Sequence, residues 1–252
     1  MIPVVIKNCK IGEGSPKIIV PIVASTKEGI LAEANNLKTI SFDVLEWRID
    51  WYEDVSDVSK INETATQIKD VLKDIPLLIT FRTAKEGGQK DIDSLTYKNL
   101  MCDICNLKAA DLIDVELFTG DDIVTEIISV ASKNQIPVIA SNHEWHSTPS
   151  TEEIINRLQK MRSLGADIAK IAVTPTSKAD VLSLLSATEE ASRLLDCPIV
   201  TMSMGSTGVV SRLVGESFGS AMTFGAAAKA SAPGQINVNQ LRTVLDIIHA
   251  SL

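Results

Sequence analysis

The chain contains no uninterrupted apolar run of about 18 residues, so no helix of it is expected to span a membrane. Its first ten residues have no signal-like apolar core and carry charges at Lys7 and Lys10, which predicts a cytoplasmic protein. Cysteine is sparse. Four residues, Cys9, Cys102, Cys105 and Cys197, are scattered through 252 positions, too few for a disulfide framework. Cys102 and Cys105 form a lone CxxC inside the helix-like run TYKNLMCDICNLKAA. A zinc site needs a second pair or two histidines at ligand spacing, and neither accompanies it, so buried inert thiols are expected. A basic excess is also missing: 24 Lys and Arg stand against 32 Asp and Glu, a formal charge of −8. That argues against nucleic-acid binding, which needs a basic stripe. It leaves room for an anionic small molecule, because the potential of one pocket need not follow the net charge. No Pro/Gly/Ser-rich linker divides the chain. No Gly-rich dinucleotide fingerprint follows an early strand, which disfavours an open doubly wound sheet.

Apolar, β-branched runs alternate with helix-period segments. Strands are expected at Lys17–Val23, Phe42–Ile49, Leu77–Arg82, Leu112–Leu117, Val138–Asn142, Asp167–Val173, Ile199–Met204 and Ser220–Phe224. Amphipathic helices are expected near 28–38, 58–72, 94–107, 122–133, 151–164, 178–195, 207–213 and 238–250. Ser150 precedes one apolar-periodic run and Gly165 ends it, as capping chemistry requires. Pro76, Pro137 and Pro198 each stand just before a strand, where a missing N–H is tolerated. Eight strand–helix units of about 29 residues predict a single (β/α)8 barrel over residues 1–252, since such barrels use about 250 residues. Continuous apolar strands fit a parallel sheet covered on both faces. Residues 2–12 are expected to form a small hairpin under the barrel.

Barrel chemistry gathers at the C-terminal ends of the strands. The polar residues there are few. Glu46 and Arg48 are two apart and share one face, as do Asp114 and Glu116. Arg82 ends the third run and leads into Thr83-Ala84-Lys85-Glu86-Gly87-Gly88. His143 closes the fifth run, Lys170 lies inside the sixth, Arg212 follows the seventh, and Ser231 and Gln235 follow the eighth. Lys170 sits in ADIAKIAV among apolar neighbours. Burial there favours the neutral amine, which attacks ketones to form imines. The alternative is a structural ion pair with Asp114 or Glu116. His143 is placed to move protons, or to cap its loop. His146, three residues on, suggests a metal pair, but no third ligand has sensible spacing. Glu86 suits an imidazole-orienting carboxylate, or a solvated loop acid flanked by Lys85 and Lys90. Arg48, Arg82 and Arg212 aim three forks at one mouth, which suits a carboxylate.

The segments FDVLEWRID, FRTAKEGG, IDVELFTGD, SNHEWHSTP, DIAKIAVTP, TMSMGSTGVVSRLVGESFGS and KASAPGQI, in this order from residue 17 to about 242, resemble the type I 3-dehydroquinate dehydratases. The resemblance implies a (β/α)8 barrel, usually homodimeric, that converts 3-dehydroquinate to 3-dehydroshikimate in the shikimate pathway without metal or organic cofactor. It makes Lys170 the Schiff-base lysine, His143 the catalytic histidine and Glu86 its carboxylate partner. Glu46, Arg48, Arg82, Arg212, Ser231 and Gln235 become substrate-binding residues, with Arg212 the partner of the substrate carboxylate. Met202 and Met204 line the cavity floor. Pro21 is a departure, since some relatives carry a serine there near the substrate. No Rossmann segment follows, which points away from the form fused to a shikimate dehydrogenase. A class I aldolase uses the same imine on the same fold, but often holds a phosphate. A non-catalytic acid-binding barrel is expected to have lost Lys170, His143 or Glu86.

Overall fold

The apolar runs become parallel strands wherever both faces find cover, and their ladder orders the whole molecule. The computed structural model describes residues 1–227 and 234–252. Two short strands, β1 (Val4–Ile6) and β2 (Cys9–Ile11), form an antiparallel hairpin. The parallel strands follow: β3 (Lys17–Ile22), β4 (Val44–Arg48), β5 (Leu77–Thr80), β6 (Leu112–Glu116), β7 (Val138–Glu144), β8 (Ile168–Val173), β9 (Ile199–Ser203) and β10 (Met222–Ala226). Neighbours run β10-β3-β4-β5-β6-β7-β8-β9. The ring is closed by a bridge between Ile199 and Ser220, where Ala221 N–H donates to the Ile199 carbonyl at 2.8 Å. A two-residue strand, β11 (Ile236–Asn237), pairs with the end of β10. The fold is a (β/α)8 barrel with a short N-terminal hairpin, and each expected strand lies within two residues of its predicted bounds.

The helices are α1 (Lys27–Asn36), α2 (Val58–Leu72), α3 (Ser94–Asn106), α4 (Asp121–Lys133), α5 (Thr151–Ser163), α6 (Lys178–Leu194), α7 (Val209–Leu213), α8 (Gly215–Phe218) and α9 (Val238–His249). Ser150 caps α5 by accepting the Glu153 N–H at 3.2 Å. The helix predicted near 207–213 is α7, and a separate short helix, α8, follows it after Val214. Pro76, Pro137 and Pro198 lack an N–H, yet their carbonyls accept from Leu45, Ile113 and Ala169 on the adjacent strands. A proline at a strand start therefore loses nothing from the ladder on its acceptor side.

Alternation along the strands separates two environments. Ile19, Val44, Leu78, Leu112, Ile139, Ile168, Val200 and Met222 point inward from the eight strands and form an apolar plug with Ile6 and Ile11 of the hairpin. The next inward position, two residues on, is Pro21, Glu46, Thr80, Asp114, Ser141, Lys170, Met202 and Phe224. Within one step the barrel interior thus changes from a wholly apolar layer to one that carries the charges of Glu46, Asp114 and Lys170 and the hydroxyls of Thr80 and Ser141. The outward residues of the same strands pack against the helices.

Candidate active site

Above the apolar plug lies a cavity that opens at the C-terminal ends of the strands, where barrel sites are built. Glu46, Arg48, Arg82, Glu86, His143, Lys170, Met202, Met204, Arg212 and Gln235 all line it. Ser231 lies outside the described residues. His146 is exposed and is not among the lining residues. Pro21 faces the interior beside Glu46 in the β3–β4 register.

Lys170 is buried in the middle of β8. Its Nζ lies 3.1 Å from Asp114 Oδ2 and 4.8 Å from the centroid of the Phe224 ring. The ion pair anticipated as the alternative to imine chemistry is therefore present. Asp114 is held elsewhere too: its Oδ1 accepts from Arg82 Nη2 at 2.8 Å and from Ser141 Oγ at 2.6 Å. Burial alone would raise the Asp114 carboxyl, but Arg82, Lys170 and these hydrogen bonds hold it down at about 2.

Arg82 lies two residues past β5, and its fork is occupied by protein carboxylates. Nη1 reaches Glu116 Oε1 at 2.9 Å, Ser141 Oγ at 3.0 Å and Glu86 Oε2 at 3.5 Å. Burial works against its charge, but Asp114, Glu116 and Glu86 overcome that and keep it firmly protonated. Glu116 in turn accepts the Thr83 N–H at 2.9 Å and the Thr83 hydroxyl at 2.7 Å.

Glu86 sits in a tight turn, Ala84–Glu86. Gly87 follows at φ +83°, and a Cβ there would lie 2.2 Å from the Trp145 ring. A Cβ on Gly88 would meet the Arg82 carbonyl oxygen at 1.8 Å. The two glycines let the turn fold back tightly enough to aim Glu86 inward. Its Oε2 accepts the His143 backbone N–H at 2.9 Å and lies 3.0 Å from His143 Nδ1. Its Oε1 accepts from Asn142 Nδ2 at 3.3 Å. Both carboxyl oxygens act as acceptors, and the tautomer that matches them carries its proton on Nδ1 and leaves Nε2 bare. Burial, then the charges of Arg82, Lys170 and Arg48, push His143 well below the usual imidazole range. Both effects favour the uncharged ring. Burial also pushes Glu86 up, against the pull of Arg82 and of the Asn142 hydrogen bond.

Arg48 is held by Asp50 in a bidentate pair, at 2.7 and 2.8 Å. Asp50 is fully buried and also accepts the backbone N–H of Arg82 and of Gln89. Glu46 accepts the Thr80 hydroxyl at 2.9 Å. Arg212 rises from α7, which Ser211 pins to β9: its hydroxyl accepts the Ser203 N–H at 2.8 Å and donates to the Gly208 carbonyl at 2.7 Å. Arg212 Nη1 lies 3.7 Å from Met202 Sδ, and burial lowers its guanidinium to about 10. Asp50, Ser141, Gly87, Trp145 and Phe224 were assigned no role from the sequence. Asp50 alone had a signal, since FDVLEWRID places it two residues beyond Arg48. The thiols of Cys102 and Cys105 lie on α3, and burial pushes both up, Cys105 to about 12.

A closed parallel barrel with one buried lysine and a neutral imidazole–carboxyl pair at its C-terminal mouth has the architecture of a barrel enzyme. A sequence profile described as type I 3-dehydroquinase matches residues 18–251. The chain is 52% identical over 246 residues to 3-dehydroquinate dehydratase of Listeria welshimeri, with 98% of each chain covered. It is 50% identical over 248 residues to the enzyme of the same name from Clostridium botulinum, again with 98% of each covered. The crystal structure of type I 3-dehydroquinate dehydratase from Clostridium difficile with covalently modified comenic acid matches with a TM-score of 0.97 at 48% identity, covering 100% of this chain and 99% of that one. The chain belongs to the type I 3-dehydroquinase family and is a hydro-lyase.

Proposed function

We propose that residues 1–252 act as one catalytic unit that dehydrates 3-dehydroquinate to 3-dehydroshikimate through an imine on Lys170. One observation carries this reading: the one lysine among the described cavity-lining residues shares the cavity with a histidine that Glu86 fixes from two directions.

The Lys170 ammonium and the C3 ketone become a protonated imine and one water. The imine draws electrons from C2, so its proton becomes acidic, and His143 Nε2 removes it to give an enamine. The enamine pushes its electron pair toward C1 and expels the C1 hydroxyl. The hydroxyl takes the proton from His143 and departs as the second water. Addition of water to the conjugated imine releases the enone and restores the ammonium. One water is consumed and two are formed, so the net change is loss of a single water. Arg212 pairs with the substrate carboxylate and Glu46, Arg48 and Gln235 hold ring hydroxyls, a positioning effect. Ser231 completes that set. The type I likeness supports a place in the shikimate pathway, a cytoplasmic location and a homodimer.

Borohydride added with 3-dehydroquinate tests the assignment. Mass spectrometry is expected to find a substrate- or product-sized adduct on Lys170 and none in Lys170→Ala. An adduct on another residue, or turnover by Lys170→Ala, overturns it.

A further inference from the structure

One guanidinium touches both halves of the machinery. Arg82 Nη2 is 2.8 Å from Asp114, whose other oxygen is 3.1 Å from Lys170 Nζ. Arg82 Nη1 is 3.5 Å from Glu86 Oε2, the same oxygen that faces His143 Nδ1. Glu116 takes the strongest contact of Nη1, and Ser141 sits between Arg82 and Asp114. The side chain of Arg82 is 4% exposed, so all of this occurs away from bulk solvent.

We propose that Arg82 is a positioning residue that couples the lysine to the histidine, holding Asp114 and Glu86 with a single fork so that Asp114 keeps a counter-charge when Lys170 gives up its own. This rests on the imine reading of Lys170. The reasoning concerns what happens to Asp114 during the reaction. The amine must be uncharged when it attacks the ketone. A buried carboxylate whose only partner is an ammonium resists that step, because losing the partner strands its charge. With Arg82 also bound to Asp114, the carboxylate stays compensated and Lys170 is free to change state. The same cation opposes protonation of His143, which keeps the base ready. A lysine at position 82 has no planar fork and cannot serve Asp114 and Glu116 together at these distances.

The groups facing Lys170 come from several elements. Asp114 reaches it from β6 and His143 from β7, with Glu86 behind the histidine. Glu46 lines the same cavity from β4, as does Arg212 from α7. Met202 and Phe224 face it from β9 and β10 without charge. Asp114 is the single carboxylate within ion-pair distance of Nζ among the described residues.

The test follows the pH midpoint of borohydride-trapped imine formation, measured in a His143→Ala background so that proton transfer at the histidine does not contribute. Arg82→Gln leaves Asp114 dependent on the ammonium, and the midpoint is expected to rise by about one unit or more. Asp114→Asn removes the ammonium's counter-ion, and the midpoint is expected to fall. A purely structural role for Arg82 lowers the amount of adduct without moving the midpoint, and that result overturns the proposal. If Arg82→Gln does not fold, the direction of the Asp114→Asn shift decides: an unmoved or raised midpoint sinks the coupling. Absence of any adduct in the His143→Ala parent and in the unmodified protein counts against the imine reading, a separate outcome.

Discussion

Glu86 Oε2 meets His143 twice, accepting its backbone N–H at 2.9 Å and facing its ring Nδ1 at 3.0 Å. The double contact fixes both the main chain at the end of β7 and the rotation of the ring. Glu86→Gln keeps the shape but replaces an acceptor with an amide. Turnover is expected to fall by about 10²- to 10³-fold, while the borohydride adduct on Lys170 persists. A kcat within twofold of the unmodified enzyme removes Glu86 from the proton-transfer machinery.

Acid stability depends on Asp114. Its folded value of about 2 lies below the ordinary aspartate value of 3.8, so the folded state binds its proton less readily than the unfolded state. The resulting stabilisation is fully present above pH 4 and is lost as pH falls from about 4 through 2, an amount of about 2 kcal/mol. Urea midpoints of the unmodified protein and Asp114→Asn are expected to differ at pH 5. The gap is expected to narrow by about that amount at pH 2. A gap that stays constant across this window excludes Asp114 as a source of the acid sensitivity.

Gly87 and Gly205 separate steric from conformational cost. Both have positive φ, +83° and +71°. A Cβ on Gly87 runs into the Trp145 ring, whereas a Cβ on Gly205 meets nothing within 4 Å. Gly205→Ala is expected to cost about 1 kcal/mol from backbone strain alone. Gly87→Ala is expected to cost about 2 to 3 kcal/mol and to lower kcat, because Glu86 immediately precedes it. Equal losses in Tm would show that the Trp145 contact is relieved by a shift elsewhere.

Arg212 is buried beside Met202 at the mouth of the cavity. Under the proposed role of Arg212, Arg212→Ala removes a charge-assisted contact to the substrate carboxylate, worth about 1.5 to 3 kcal/mol. KM is expected to rise by about 10- to 100-fold, with the Lys170 adduct still trapped at saturating substrate. An unchanged KM assigns the carboxylate to another cation.

Much of this was legible before any tertiary contact was known. The continuous apolar runs in KIIVPI and LLIT, and those around Lys170, follow from burial on both faces of a parallel strand. Glu46 with Arg48, and Asp114 with Glu116, were assigned to common faces from spacing alone; the first pair lines the cavity and the second pair shares the fork of Arg82. The short helix α8 beyond Val214 was not legible, because its four residues carry no apolar periodicity to mark it. Asp50 was passed over although its spacing from Arg48 placed it within reach.

The chain alone determined in what order the eight units come, which charged residues share a strand face, and that one lysine would be buried within a strand. These are local properties of a strand and need no knowledge of its neighbours. Tertiary structure decided what each charge does. Arg82 was expected to offer its fork to a ligand, and it lines the cavity, but Asp114, Glu116 and Glu86 occupy the fork. That outcome depends on the register that sets Thr80 opposite Asp114 and Glu116 opposite Ser141. Register is a relation between strands far apart in sequence, so the pattern along any one strand does not contain it. The physical reason is simple: a guanidinium has five donors and no preference between a substrate carboxylate and a protein one, and only distance chooses between them.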